Sequence, residues 1–422
     1  MGYFCSTDKE CDKMKHMTYK SFAISLLAII LAACGEDRTG EYMEMTQENQ
    51  WIYSKMKEVY LWGDGIKQPE HSQFFNTTSK FFTSLLNSND KVSYFTDTVK
   101  SGSYGISCTL MRDPIAEQPS KVYALTLFVE PGSPAETAGV KRGTWISAID
   151  GKPLSISSDN ILQSGGAVTL TTEKIRYDEE RQRYRWFPSD TLTMNAATEV
   201  TNCSICLDSI YNIRNRKVGY ILCNNFNGPD FIDRSENILS RFSTEEITDL
   251  ILDFRYNTGG SIDNAAILAG ALVPSELHGT TFAILRKNNT EETVYEYMSG
   301  ETNLGDKKLY IITGNNTSSV AELFISSIDK SRNMYEVFTI GEQTKGDNII
   351  VKSIQSPYGF TINPATAFIY TSAGTPLPGE GLKADYALNE LEQIEHIYPL
   401  GSEQEYMLYS TLYLIATGTL PQ

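Results

Sequence analysis

Between about residues 207 and 329, short apolar runs alternate with helical patterns, and this alternation leaves few folds open. Residues 218–222, the run Asp249-Leu250-Ile251-Leu252-Asp253-Phe254, and Lys308–Thr313 read as strands. Helical stretches stand between and after them: 229–242, a segment carrying Ile267, Leu268, Leu272 and Val273, and one running from near Ser319 to 329. Strand–helix alternation of this kind predicts an α/β domain with a largely parallel sheet. In such folds the loops at the carboxyl ends of the strands carry the chemistry.

Two of these strand-to-helix loops are candidates. The first is Asn257-Thr258-Gly259-Gly260. Paired glycines let the backbone come close to a ligand, and their N–H groups can hold a developing oxyanion; an ordinary turn has the same composition. The second runs Thr313-Gly314-Asn315-Asn316-Thr317-Ser318-Ser319-Val320-Ala321-Glu322. A serine that opens a helix directly after a strand is held rigidly in the positive field of the helix. Ser319 and Glu322 also spell a capping box, so on these residues alone the serine is either a nucleophile or a cap.

Upstream, the pattern changes twice. Residues 45–98 read as a helical unit: Trp51, Ile52, Lys55, Met56, Val59, Tyr60 and Trp62 follow helical spacing until Gly63-Asp64-Gly65, and residues 74–86 repeat it. Residues 99–198 read as short strands and turns, with a strand at 123–129, a one- to two-turn helix from Ser133, and a strand closed by the Asp150-Gly151 turn. The stretch 132–154, from Gly132-Ser133-Pro134-Ala135 to Asp150-Gly151-Lys152-Pro153-Leu154, resembles the central part of PDZ domains in bacterial processing proteases, with Thr144 where an aspartate is usual. That resemblance implies a peptide-binding domain. Tyr104-Gly105-Ile106 are its candidate carboxylate loop, because Gly105 permits close approach and successive N–H groups accept a terminal carboxylate.

The N-terminus reads as an address. Lys13, Lys15 and Lys20 precede an apolar run over 22–33, too short to span a bilayer, that ends Leu31-Ala32-Ala33-Cys34. This resembles a bacterial lipobox with Cys34 as the acylated residue. It predicts a signal peptide over 1–33, a tether over 34–44, and a cell-envelope protein anchored through lipid. Cys203-Ser204-Ile205-Cys206 is a lone CxxC with no second pair, which argues against zinc and leaves a disulfide or two free thiols open.

The order of motifs is more specific than any one of them. "DFRYNTGG", "LYIITGNNTSSVAELF", "IGEQTKGDNI" and "AGTPLPGEGLKADYAL" follow one another with the spacing of the S41 (tail-specific, C-terminal-processing) serine peptidases. The resemblance covers nearly all of the chain after the leader and includes "WIYSKMKEVYLW" at 51–62. It implies an S41-type α/β domain over 199–422, with Ser319 as nucleophile, Ser318 as the fallback, and the oxyanion held by the Val320 N–H and a glycine N–H of Gly259 or Gly260. It implies a lysine as general base and no metal or organic cofactor.

The base is where the sequence departs. In Gly341-Glu342-Gln343-Thr344-Lys345-Gly346-Asp347 the usual lysine position is Asp347. An aspartate, with a reference pKa of about 4, is a poor base for a serine hydroxyl. Lys345 is the candidate substitute, because positions two apart point to one side of an extended chain. Ala384 likewise replaces a usual proline. Nucleic acid is excluded as a partner: 36 Lys+Arg against 52 Asp+Glu give a formal charge of −16, the wrong sign for phosphates. Two readings follow. One is a serine endopeptidase that captures extended or free C-terminal segments of exported polypeptides by strand addition. The other is a peptide-binding lipoprotein that keeps the fold without the base.

Overall fold

The computed structural model describes residues 39–97, 102–156, 162, 165–287, 291–305, 307–328 and 336–421. The proposed leader and Cys34 lie outside the described residues. The chain divides into two compact units after Asn89.

In the first unit, helix α1 (Thr39–Val59) is followed by short 3-10 turns and helix α2 (Thr78–Ser84). Ile52, Met56, Tyr60, Phe81 and Phe82 are its buried core. The helical pattern over 74–86 does not form one helix. A 3-10 turn, His71–Phe75, ends at an extended Asn76, and α2 starts afterwards. The buried Asn49 side chain donates to the carbonyls of Phe74 and Asn76 at 2.9 and 2.7 Å, groups that a continuous helix would have consumed.

The second unit begins with β1 (Tyr94–Thr96), which lies within the span expected to be helical, and it pairs with a strand far along the chain, β17 (Thr361–Asn363), whose other neighbour is β16 (Ile354–Gln355). A β-rich part follows, made of β2 (Ile106–Arg112), β3 (Val122–Val129), the short helix α3 (Pro134–Thr137), β4 (Trp145–Ile149), β5 (Lys152–Pro153), β6 (Val168–Asp178) and β7 (Arg183–Met194). These strands form one sheet in the order β2-β3-β4-β6-β7, with β5 paired to β4. The local signals hold here. Ser133 Oγ accepts the Glu136 N–H to cap α3, and Asp150 and Gly151 both take positive φ (+49° and +73°), as the two-residue turn of a tight hairpin requires.

The rest is an α/β layer. Strands β8 (Ile205–Ile213), β9 (Arg216–Cys223), β10 (Asp249–Asp253), β13 (Lys308–Thr313), β14 (Val337–Gly341) and β19 (Tyr386–Ala387) form a six-stranded sheet in the order β19-β14-β13-β10-β9-β8. All its pairings are parallel except β8 with β9. The central strands β10 and β13 are buried along nearly their whole length and apolar in their middle because both faces are covered. Leu250 and Leu252 point into one core with helices α4 (Phe231–Thr244), α5 (Ile262–Ala271) and α6 (Val320–Ser327), while the intervening Ile251 joins the opposite core under α7 (Tyr406–Thr417). A second sheet of β11 (Thr281–Lys287), β12 (Glu291–Glu296), β15 (Ile349–Val351) and β18 (Ala365–Thr371) runs in the order β12-β11-β18-β15. The mixed α/β class and the N-terminal helical segment are those read from the sequence. Parallel β10 and β13 deliver the two candidate loops side by side at their carboxyl ends.

Candidate active site

Ser319 immediately precedes α6 with φ +56° and ψ −118°. A left-handed φ is unfavourable for any residue with a Cβ, costs on the order of 1–3 kcal/mol, and persists where the surroundings enforce it. The surroundings here are specific. Thr317 Oγ1 donates to the Phe254 carbonyl at 2.8 Å, and the Ser318 N–H donates to the Asn257 carbonyl at 3.0 Å, so the serine loop is fastened to the end of β10. Ser318 is buried, whereas Ser319 keeps part of its surface open. Of the two serines, Ser319 is the accessible one.

The glycine loop lies against it. A Cβ on Gly259 would stand 3.1 Å from Ser319 Cβ, 3.3 Å from Ser319 Oγ and 3.2 Å from the Val320 nitrogen. The lack of a side chain at Gly259 keeps open the space beside the serine oxygen and the first N–H of the helix. The Gly259 N–H itself is engaged, donating to Asn257 Oδ1 at 2.9 Å. Of the two glycines, Gly260 is then the candidate second donor, beside Val320.

Glu322 is the part that sequence reading missed. It registered only as half of a capping box. Its buried carboxylate accepts the Ser319 N–H at 3.0 Å and the Asp347 N–H at 2.9 Å on Oε2, and the Gly346 N–H at 2.8 Å on Oε1, where Thr344 Oγ1 also donates. One carboxylate thus ties the serine loop to the Thr344–Asn348 loop, with the Ser319 and Asp347 N–H groups on the same oxygen.

The Lys345 N–H donates to the Thr317 carbonyl at 2.9 Å, on the serine loop, but its side chain is turned to solvent. That side chain is 61% exposed, and Nζ stands 3.6 Å from Asp347 Oδ2. A base lysine needs an apolar enclosure and no carboxylate partner, and Lys345 has neither. The extended geometry expected of this stretch is absent, because Gly346 takes φ +84° and turns the chain; its Cα packs so closely on Gly379 and Gly381 that a Cβ would meet backbone at 2.3 and 2.5 Å. Asp347 is only 19% exposed, and its Oδ1 is buried with no hydrogen-bond partner among the described residues.

A second cluster lies beneath the glycine loop. Arg255 is wholly enclosed and binds Asp253, Glu390 and Glu405, with Nη1 2.7 Å and Nη2 2.9 Å from the two Glu405 oxygens. Arg142, from the β-rich part, reaches the same Glu390 and Glu405 at 2.7 and 3.2 Å and donates to Tyr256 Oη. Burial pushes the Glu405 carboxyl up, but Arg255, Arg142 and the Leu408 N–H outweigh it and bring it down to about 2.

Tyr104, Gly105 and Ile106 lie elsewhere, at the start of β2, an edge strand. Gly105 takes φ +70°, where a Cβ would strike Ser133 at 2.2 Å, and its N–H is engaged by Ser103 Oγ at 2.9 Å. Tyr104 is buried, with its hydroxyl donating to the Gly166 carbonyl at 2.7 Å.

A strained serine at a helix start, a glycine loop against its oxygen and a carboxylate hub can be set beside known proteins. A family model for peptidase family S41 matches residues 217–388, and one for the peptidase S41 N-terminal domain matches 47–94. The chain belongs to peptidase family S41. The carboxy-terminal-processing protease of Bartonella bacilliformis is 25% identical to this S41 chain over 272 residues, 61% of the chain and 56% of that protein. A crystal structure from Bacteroides fragilis assigned to the S41 proteases matches with a TM-score of 0.74 and 26% identity, over 87% of this chain and 97% of the other. The photosystem II D1 C-terminal processing protease shares the fold, with a TM-score of 0.52 and 16% identity over 89% and 98% of the two chains. This S41 chain spans about half the length of the curated relatives it matches.

Proposed function

We propose that this S41 chain is a serine-type peptidase acting on extended polypeptide segments, with an acylation step slowed by the aspartate in the base position. The observation that carries the reading is Ser319, strained at φ +56° and backed by Gly259 against its oxygen. Ser319 attacks the scissile carbonyl, and the Val320 and Gly260 N–H groups stabilise the oxyanion. The edge strand β2 adds a polypeptide strand, and the Tyr104-Gly105-Ile106 turn receives its C-terminal end once the Gly105 N–H exchanges Ser103 Oγ for the carboxylate. A peptide with a free carboxylate then binds more tightly than its C-terminal amide. Anchoring in the cell envelope through Cys34 belongs to the same reading, and fractionation of a Cys34→Ala variant tests it.

A second reading has its own observation. With Lys345 solvated beside Asp347, the fold serves to bind polypeptides without cleaving them. One assay separates the two. Wild type, Ser319→Ala and Asp347→Lys are offered an unfolded protein with an apolar free C-terminus. Residue 347 has the enclosure that residue 345 lacks, so Asp347→Lys supplies the base where the serine is. Slow wild-type cleavage that Ser319→Ala abolishes and Asp347→Lys raises supports the peptidase. Cleavage in Asp347→Lys alone supports the binder, and cleavage that survives Ser319→Ala sinks both.

A further inference from the structure

The CxxC segment is used by neither reading, yet its geometry is unusual. Along an extended strand, residues three apart are about 10 Å from each other. A disulfide needs Cα atoms within about 7 Å. Here the chain bends at Ser204, and the β8–β9 register slips between Ile205 and Leu207, which makes Cys206 the extra residue of a bulge. A bulge re-aims the side chain it carries. The Cys206 thiol turns back toward Cys203 and donates to its carbonyl at 3.2 Å. The Cys203 backbone is held on both sides: its N–H donates to Glu130 Oε2 at 2.9 Å and its carbonyl accepts from Asn225 Nδ2 at 3.2 Å. Both cysteines are half-buried and reachable from solvent, while Cys223 is buried.

We propose that Cys203 and Cys206 are a reactive dithiol, a site of thiol–disulfide exchange that closes into a local disulfide, with Cys203 as the attacking thiol. The Cys206 proton is engaged by the Cys203 carbonyl at 3.2 Å, which leaves Cys203 as the thiol free to give up its own; the contact with Cys206 lowers the Cys203 thiol from the usual range, against burial and the Glu130 carboxylate. Arg234 and Asp230, which precede or lie in α4, and Cys223 on β9 are the other charged or titratable groups facing the pair. The co-reactant is a disulfide, R–S–S–R. The Cys203 thiolate attacks one of its sulfurs, the S–S bond breaks, and R–S⁻ leaves and takes up a proton. Cys206 then loses its proton and attacks the Cys203 sulfur, releasing the second R–SH. Two electrons and two protons pass to the disulfide, and the chain loses two hydrogens. The pair stands near the glycine loop: Ile205 is in register with Cys223, whose carbonyl accepts from Asn257 at 3.0 Å, and Asn257 in turn holds the Gly259 N–H.

The test uses the full chain and excess oxidised glutathione. Trypsin releases residues 186–214 as one peptide that contains Cys203 and Cys206 and no other cysteine. The expected result is loss of two hydrogens from that peptide in the folded protein. In Cys206→Ser the peptide should instead carry one glutathione on Cys203, and in Cys203→Ser it should remain unmodified. The proposal is overturned if the folded peptide keeps both thiols while the urea-unfolded chain reacts. It is overturned equally if Cys206 takes the glutathione in Cys203→Ser as fast as Cys203 does in Cys206→Ser.

Discussion

Arg255 opens the loop that carries Gly259 and Gly260, and Lys345 sits in the loop that Glu322 ties to Ser319, so the two loops that frame the serine each carry a cation, in opposite settings. Arg255 is 1% exposed and faces Asp253, Glu390 and Glu405. Lys345 is 61% exposed and faces Asp347 at 3.6 Å. The buried arginine has exchanged its hydration for fixed carboxylates, so its neighbours depend on it. The exposed lysine has kept its water, so little depends on it. Position along the chain predicts neither. What the contrast teaches is that the charges near this serine divide into a scaffold that cannot be altered cheaply and a surface pair that can.

The largest expected effect is on the scaffold. Arg255→Ala leaves the carboxylates of Asp253 and Glu405 buried with fewer partners, and breaking a buried pair from one side typically costs about 3–5 kcal/mol. Urea unfolding of the variant should show a loss of that order. A loss under about 1 kcal/mol would mean that the cluster is hydrated in solution and that the contrast with Lys345 is false.

The next effect comes from acid. Glu405 has a folded pKa of about 2, below the ordinary glutamate value near 4.3. Its folded value is depressed, so its contribution is complete above the unfolded pKa and is lost as pH falls from about 4.5 toward 2, on the order of 3 kcal/mol in all. Stability measured across that window should fall less steeply in Glu405→Gln than in wild type. Equal slopes would move the acid sensitivity to another carboxylate.

These two regions were unequally visible in the sequence. The parallel strands announced themselves, since Leu250, Ile251 and Leu252 are apolar on both faces and the loops after β10 and β13 carry the glycines and the serine. The ionic cluster did not. Arg142, Arg255, Glu390 and Glu405 meet only once the β-rich part, the sheet and the segment before α7 have folded, and each looks like an ordinary surface charge in its own stretch. Glu322 was visible as a local cap, but its reach to Gly346 and Asp347 depends on contacts 24 and 25 residues away. The exposure of Lys345 has a local origin. An offset of two gives one side only in an extended chain, and Gly346 at φ +84° breaks that condition.

The smallest expected effect is the one that sharpens the contrast most. Lys345→Ala removes an exposed charge that stands 3.6 Å from the Asp347 carboxylate, so the stability change should stay within about 0.5 kcal/mol. Its effect on turnover is the informative part. In the structure, the Ser319 and Asp347 N–H groups share one Glu322 oxygen, and the Lys345 side chain projects into solvent. If that arrangement is the working one, Lys345→Ala leaves cleavage by wild type unchanged, and leaves unchanged the gain brought by Asp347→Lys. If Lys345→Ala abolishes cleavage while stability stays the same, then the Thr344–Asn348 loop rearranges when polypeptide binds. Such a movement would have to break the Glu322 contacts to Gly346 and Asp347, and Glu322→Gln, which weakens both, would then raise turnover rather than lower it.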